Sequence, residues 1–120
     1  MKKLLCMVSH PPYRDSHVAE LLDAAMVGAV FDCDVSILFR GDGVRALQQH
    51  QDAAAIQQRT VGKILQAFES YDINNVYVCA NALTDAGLAK TELAIKAEPI
   101  DYDEQARLIA AQDAVIGAQS

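Results

Sequence analysis

The sequence predicts an α/β domain: a single-domain three-layer sandwich with a mainly parallel sheet and helices on both faces. Three observations predict it. Short apolar runs of strand length alternate with longer segments of helical spacing, the order that builds parallel sheets. The chain has 120 residues, enough for one core and too few for two ordinary ones, so one domain is expected over 1–120. Hydrophobic residues make up 52% and aromatics only 6%, with no Trp, so Ala, Val, Leu and Ile must build the core.

The elements follow in order. Leu4 to Ser9 reads as the first strand, apolar on consecutive positions as in strands covered on both faces. Pro11 and Pro12 forbid its continuation. Val18, Leu21, Leu22, Ala25, Met26, Ala29 and Val30 recur at helical spacing, with Asp15 or Ser16 as the N-cap and Glu20 near the first turn. Gly28 costs this helix about 1 kcal/mol relative to Ala, which is explained if that face lies close against the sheet. Asp34 to Phe39 is the second strand, Arg40 to Gly43 its turn, and Val44 to His50 a short helix. Ile56, Thr60, Ile64, Leu65 and Phe68 mark a longer helix that ends near Tyr71 and Asp72.

Asn75 to Cys79 is the third strand, followed by a short helix around Ala82 to Ala86 that Gly87 closes. Leu93 to Glu98 reads as a further strand, stopped by Pro99. Asp101 or Asp103 caps a helix carrying Ala106, Leu108, Ile109 and Ala110, and Ala114 to Ile116 is a last short strand. This order implies right-handed crossovers and a flavodoxin-like arrangement. No internal repeat or interdomain linker interrupts it.

Charge and composition exclude several function classes. A net charge of -6 argues against direct nucleic-acid binding, which needs clustered Lys and Arg. The opening Lys2-Lys3-Leu4-Leu5-Cys6-Met7-Val8 is too short an apolar run to span a membrane or act as a targeting segment, and three widely spaced cysteines suit a reducing cytoplasm. The first loop, Ser9-His10-Pro11-Pro12-Tyr13-Arg14, lacks glycine and loses two donors to proline, so a flavin phosphate has no cradle there. Gly41-Asp42-Gly43 lacks phosphate-loop spacing and reads as a turn that uses glycine's positive φ. His10, His17 and His50 fall in no metal-binding spacing, and no nucleophile elbow is present.

The cysteines differ in setting. Cys6 lies within the first strand and reads as inert core. Cys33 stands between Asp32 and Asp34, whose carboxylates oppose a thiolate. Cys79 ends a strand where a helix begins, at the strand ends that border ligand crevices in parallel sheets. A helix N-terminus favours a thiolate there, and Asn81 stands close enough in sequence to donate a hydrogen bond. Equally, a cysteine at such a place serves as a small apolar filler.

Phe31-Asp32-Cys33-Asp34-Val35-Ser36-Ile37-Leu38-Phe39, then Gly41-Asp42-Gly43-Val44, then Tyr71-Asp72-Ile73 and Val76-Tyr77-Val78-Cys79, followed by Ala82-Leu83 and Ala86-Gly87-Leu88, resemble as a set the TusC/DsrF branch of the DsrE-like sulfur-relay proteins. The likeness covers nearly the whole chain, including the proline-containing first loop. It implies a DsrE-like fold, a cytoplasmic sulfurtransferase-complex subunit, and no cofactor or metal. It further implies assembly with TusB/DsrH-like and TusD/DsrE-like subunits in a dimer of heterotrimers, which delivers sulfur to a downstream acceptor protein for 2-thiolation of the tRNA wobble uridine. A DsrF-type part in dissimilatory sulfur oxidation is the alternative pathway. By the resemblance, Cys79 aligns with the persulfide-bearing cysteine of the TusD/DsrE type, while that role belongs chiefly to the sister chain. Cys79 as carrier, with Asn81 in support, and a subunit without chemistry of its own therefore both stay open. An obligate subunit is expected to expose apolar area and to behave poorly alone.

Overall fold

The computed structural model describes residues 2–10, 17–47, 56–88 and 93–117, with backbone only at 17 and 56–61. In chain order the elements are β1 (Lys3–Val8), α1 (His17–Val30), β2 (Asp34–Phe39), a 3-10 segment (Gly41–Leu47) and α2 (Ile56–Ala67). A 3-10 turn (Phe68–Tyr71), β3 (Asn75–Cys79), α3 (Ala80–Asp85), β4 (Glu98–Ile100), α4 (Tyr102–Ala110) and β5 (Ala114–Ile116) complete the fold. The sheet has five strands in the order β4-β3-β2-β1-β5, and every neighbouring pair is parallel. The expected α/β architecture is present, with β5 returning to the far side of β1.

Side-chain alternation sends each strand's residues to two faces. One face of the sheet carries Cys6, Val8, Val35, Ile37, Phe39, Val76 and Val78, which pack with Val18, Leu22 and Ala25 of α1 and Leu65 of α2 in the larger core. The other carries Leu5, Met7, Leu38 and Ile100, covered by Leu108 and Ile109 of α4. That face is thinner because a nine-residue helix is its main cover. These are the three layers.

Helix termini obey local chemistry. Asp101 caps α4 by accepting from the Glu104 N–H at 2.8 Å, and the Glu104 carboxylate accepts from the Asp101 N–H at 3.2 Å, a reciprocal capping box. The buried Gln105 then fastens α4 to the end of β4, its Nε2 donating to the Ile100 carbonyl at 3.3 Å. Gly28 behaves as its cost implied, since a Cβ there would come within 2.7 Å of the Leu4 side chain on β1. The Asp15 or Ser16 cap, Pro11, Pro12 and the end of the Val44 to His50 helix lie outside the described residues.

Two expectations change. The fourth strand is Glu98–Ile100, with Leu93 in an isolated bridge outside it, so Pro99 lies inside a strand instead of ending one. It is tolerated opposite Val78 because β4 is an edge strand and needs ladder hydrogen bonds on one side only. The apolar Leu93 and Ala97, which suggested a strand, are buried as plugs in the larger core. Likewise, Gly41 to Gly43 is the start of the 3-10 segment and not a separate turn.

Gly41 has the positive φ expected of it, at 54°, but Gly43 is required for a different reason. A Cβ on Gly43 would overlap the Val8 carbonyl oxygen at the end of β1, because the 3-10 segment packs its backbone on that strand. A methyl group added at Gly62 in α2 would meet nothing within 4 Å. Gly43→Ala should therefore lower the unfolding free energy by roughly 1–3 kcal/mol through overpacking, whereas Gly62→Ala should raise it by about 0.5–1 kcal/mol through helix propensity. Urea titration of the two variants checks this contrast.

Candidate functional site

The carboxyl ends of β2 and β3 lie side by side, since Phe39 pairs with Val78. Each feeds directly into helical structure, β2 into the 3-10 segment and β3 into α3. Between these two pieces lies a cleft of about 160 Å³ bordered by Gly41, Asp42, Arg45, Ala82 and Asp85. It lies beyond carboxyl strand ends, the part of a parallel sheet that borders ligand crevices. Its charged border went unnoticed in the sequence, where Asp42 and Asp85 are 43 positions apart; the available signal was that each follows a strand that the sheet makes adjacent.

Cys79 is the last residue of β3 and the N-cap of α3, with extended backbone at φ -65° and ψ 118°. The helix begins at Ala80 with no intervening loop. Its thiol makes no side-chain capping hydrogen bond, and the residue is only 3% exposed. By strand alternation Cys79 follows Tyr77 onto the α4 face, away from Val78, and it pairs in register with Ile100 of β4. It does not border the cleft between the 3-10 segment and α3. Asn81 is exposed in the first turn of α3, and among the described residues no hydrogen bond joins it to Cys79. Helix α3 has six residues, closed by a Schellman arrangement in which Leu88 N–H donates to the Leu83 carbonyl at 3.1 Å and Gly87 N–H to the Thr84 carbonyl at 3.0 Å.

The other cysteines take opposite environments. Cys6 is wholly buried within β1, and burial pushes its thiol from the ordinary value of 9.0 up to about 12. Cys33 is half-buried in the connection between α1 and β2, its N–H donating to the Gly28 carbonyl at 3.0 Å. A persulfide exchange needs a thiolate that a second sulfur can reach. Cys6 meets neither requirement, and Cys79 is enclosed in the isolated chain.

Of the histidines, His10 is half-buried just after β1, His17 opens α1, and His50 lies outside the described residues. Among the described residues no group of three or more His, Cys, Asp or Glu is placed to hold a metal ion. No described helix is long and apolar enough to cross a membrane.

Comparison with known proteins gives this architecture a family. The DsrE/DsrF-like family pattern matches residues 2–117, nearly all of the chain. The chain belongs to the DsrE/DsrF-like family. Within that family it is 33% identical to a protein named TusC homolog from Pseudomonas aeruginosa, over 96% of this chain and 97% of the relative. It is 29% identical to the intracellular sulfur oxidation protein DsrF of Allochromatium vinosum, over 88% of this chain and 78% of the relative. The TusC/DsrF likeness of the sequence motifs is therefore matched by relatives of both names. The fold superposes on the crystal structure of the YchN protein from E. coli with a TM-score of 0.82, at 17% identity, covering 96% of this chain and 97% of that one. At that identity the likeness concerns the DsrE-like fold alone.

Two outcomes are expected from the thiol environments. Brief iodoacetamide treatment of the isolated native chain at neutral pH should label Cys33 well ahead of Cys6 and Cys79, with Cys6 labelled only after unfolding; peptide mapping reads the order. Cys6 also couples folding to pH. Its folded value lies above the unfolded one, so above pH 9 the unfolded chain loses a proton that the folded chain keeps. Stability should fall as pH rises from about 9 toward 12, and Cys6→Ala should flatten that slope in denaturant titrations across the range.

Proposed function

We propose that this chain is a subunit of a TusBCD-type sulfur relay that passes persulfide sulfur toward 2-thiolation of the tRNA wobble uridine, and that it acts chiefly as a scaffold. The observation that carries this reading is the match to the Pseudomonas aeruginosa TusC homolog over 96% of this chain and 97% of that relative. The partners in this reading are TusB/DsrH-like and TusD/DsrE-like subunits in a dimer of heterotrimers in the cytoplasm. A downstream acceptor protein receives the sulfur. The net charge of -6 supports an indirect relation to tRNA, reached through that acceptor.

The relay step itself is a sulfur exchange. An acceptor thiolate attacks the outer sulfur of a donor persulfide, the S–S bond of the donor breaks, and the donor cysteine leaves as a thiolate. The attacking sulfur must approach along that S–S bond. Cys79, at 3% exposure, supports the scaffold reading over direct carriage, because neither approach nor departure is open while the chain keeps this conformation. The carrier alternative requires partner binding to uncover Cys79, with Asn81 then near enough to stabilise the persulfide.

The DsrF relative favours a second pathway for the same chemistry, intracellular sulfur oxidation. The strand-end geometry is compatible with both, since both use the same exchange.

The test separates assembly from chemistry. In a complex co-purified with TusB- and TusD-type chains, Cys79→Ser should leave both assembly and tRNA thiolation near wild-type levels. After incubation with a cysteine desulfurase and cysteine, peptide mapping should place the added sulfur on a sister chain. A reducible gain of about one sulfur atom on Cys79, together with lost thiolation in Cys79→Ser, would establish the carrier instead.

A further inference from the structure

The outer face of α1 ends in an apolar patch that the larger core does not use. Val27, Val30 and Phe31 are 56%, 61% and 76% exposed. Val30 and Phe31 follow Val27 by three and four residues, one helical turn, and the Phe31 N–H donates to the Val27 carbonyl at 3.2 Å, so both neighbour Val27 on one surface. An aromatic ring held three-quarters in water within an apolar patch is the kind of residue enriched at interface centres.

The surroundings say what covers it. Asp23 precedes Val27 by one turn on the same exposed face, and Asp32 follows Phe31 directly. Beyond Asp32 a cleft of about 180 Å³ carries Asp34, Tyr71 and Asp72, with Tyr71 41% exposed on its far side. Four carboxylates, Asp23, Asp32, Asp34 and Asp72, thus border the patch and its cleft, and α1 contains no Lys or Arg; two cations reach this end, Lys2, whose carbonyl accepts from Asp34 N–H, and Lys3, the register partner of Asp34. Two copies of this chain meeting here would bring like rims together, which opposes self-association.

We propose that the Val27-Val30-Phe31 surface is where this chain docks a sister subunit of different sequence, one that presents an apolar pocket rimmed by Lys and Arg. The identity of the partner rests on the relay-subunit reading; the apolar centre and acidic rim do not. The patch lies near the amino ends of the strands, since Asp34 opens β2, and Cys79 closes β3 at the opposite end. Docking there holds the subunit while leaving the strand-end crevice facing elsewhere.

The test is co-expression with TusB- and TusD-type chains, comparing wild type, Phe31→Asp and the rim variant Asp23→Asn/Asp32→Asn. Wild type should co-purify as a complex. Phe31→Asp should weaken assembly by roughly tenfold or more, as loss of a central aromatic does, while the thermal midpoint of the isolated chain is unchanged. The rim variant should assemble with a flatter dependence on salt. Assembly of Phe31→Asp at wild-type affinity would overturn the surface and leave the relay reading intact. Failure of the wild-type chain to assemble would overturn both. A wild-type homodimer that Phe31→Asp dissolves would overturn the basic-rimmed partner in favour of a second copy.

Discussion

The parallel ladder between β1 and β2 is the constraint on which the rest of this fold depends. Six register pairs run from Lys3 with Asp34 to Val8 with Phe39. Leu5, Cys6, Val8, Ile37, Leu38 and Phe39 are all wholly buried in it. A slip of one residue would exchange its two faces. Burying one large apolar side chain contributes about 1.5–3 kcal/mol, so misplacing several would consume a total stability of about 5–15 kcal/mol. Because parallel strands cannot be joined by a tight turn, α1 must cross the sheet, and Gly28 lets it lie on Leu4. At the far end of the ladder the Val8 carbonyl accepts from Arg40 N–H at 2.9 Å, and the 3-10 segment is stacked on it through Gly43. At the near end, β5 is tied to β1 when Lys3 N–H donates to Asp113 Oδ2 at 2.7 Å and Asp113 N–H to the Lys3 carbonyl at 2.9 Å.

With that frame in place, the two ends of the sheet have different characters. The carboxyl ends of β2 and β3 hold the cleft between Asp42 and Asp85, with Cys79 close by but turned to the α4 face and enclosed. The amino ends hold the acidic cleft beside Tyr71 and the exposed turn of α1. The carboxyl end of β3 thus encloses its cysteine, whereas the carboxyl end of α1 leaves Phe31 in solvent. The three cysteines make the same point, since burial, not residue type, decides which thiol can react.

Much of this was legible locally. The runs Asp34–Phe39, Asn75–Cys79 and Ala114–Ile116 are strands at the residues read from their composition, and Val18 to Val30 is helical as its spacing requires. The Asp101 cap and the Gly87 terminator depend on neighbours within five residues, which is why they could be read without a fold. Pro99 could not. In isolation it is a strand stop, and only its place on an edge makes it a strand residue. Cys79 was placed correctly at a strand-to-helix junction, yet its enclosure depends on which face β3 presents and on the pairing of Cys79 with Ile100 of β4.

The sequence by itself determined the periodicities, the Asp101 cap and the family resemblance, because each rests on residues near one another in the chain or on composition. Tertiary structure alone decided that β5 returns beside β1, that Asp42 and Asp85 face one cleft, that Cys79 is enclosed and that Phe31 is not. Those facts depend on pairings between distant strands, where the free energy lies in the total area buried and no local pattern records the choice.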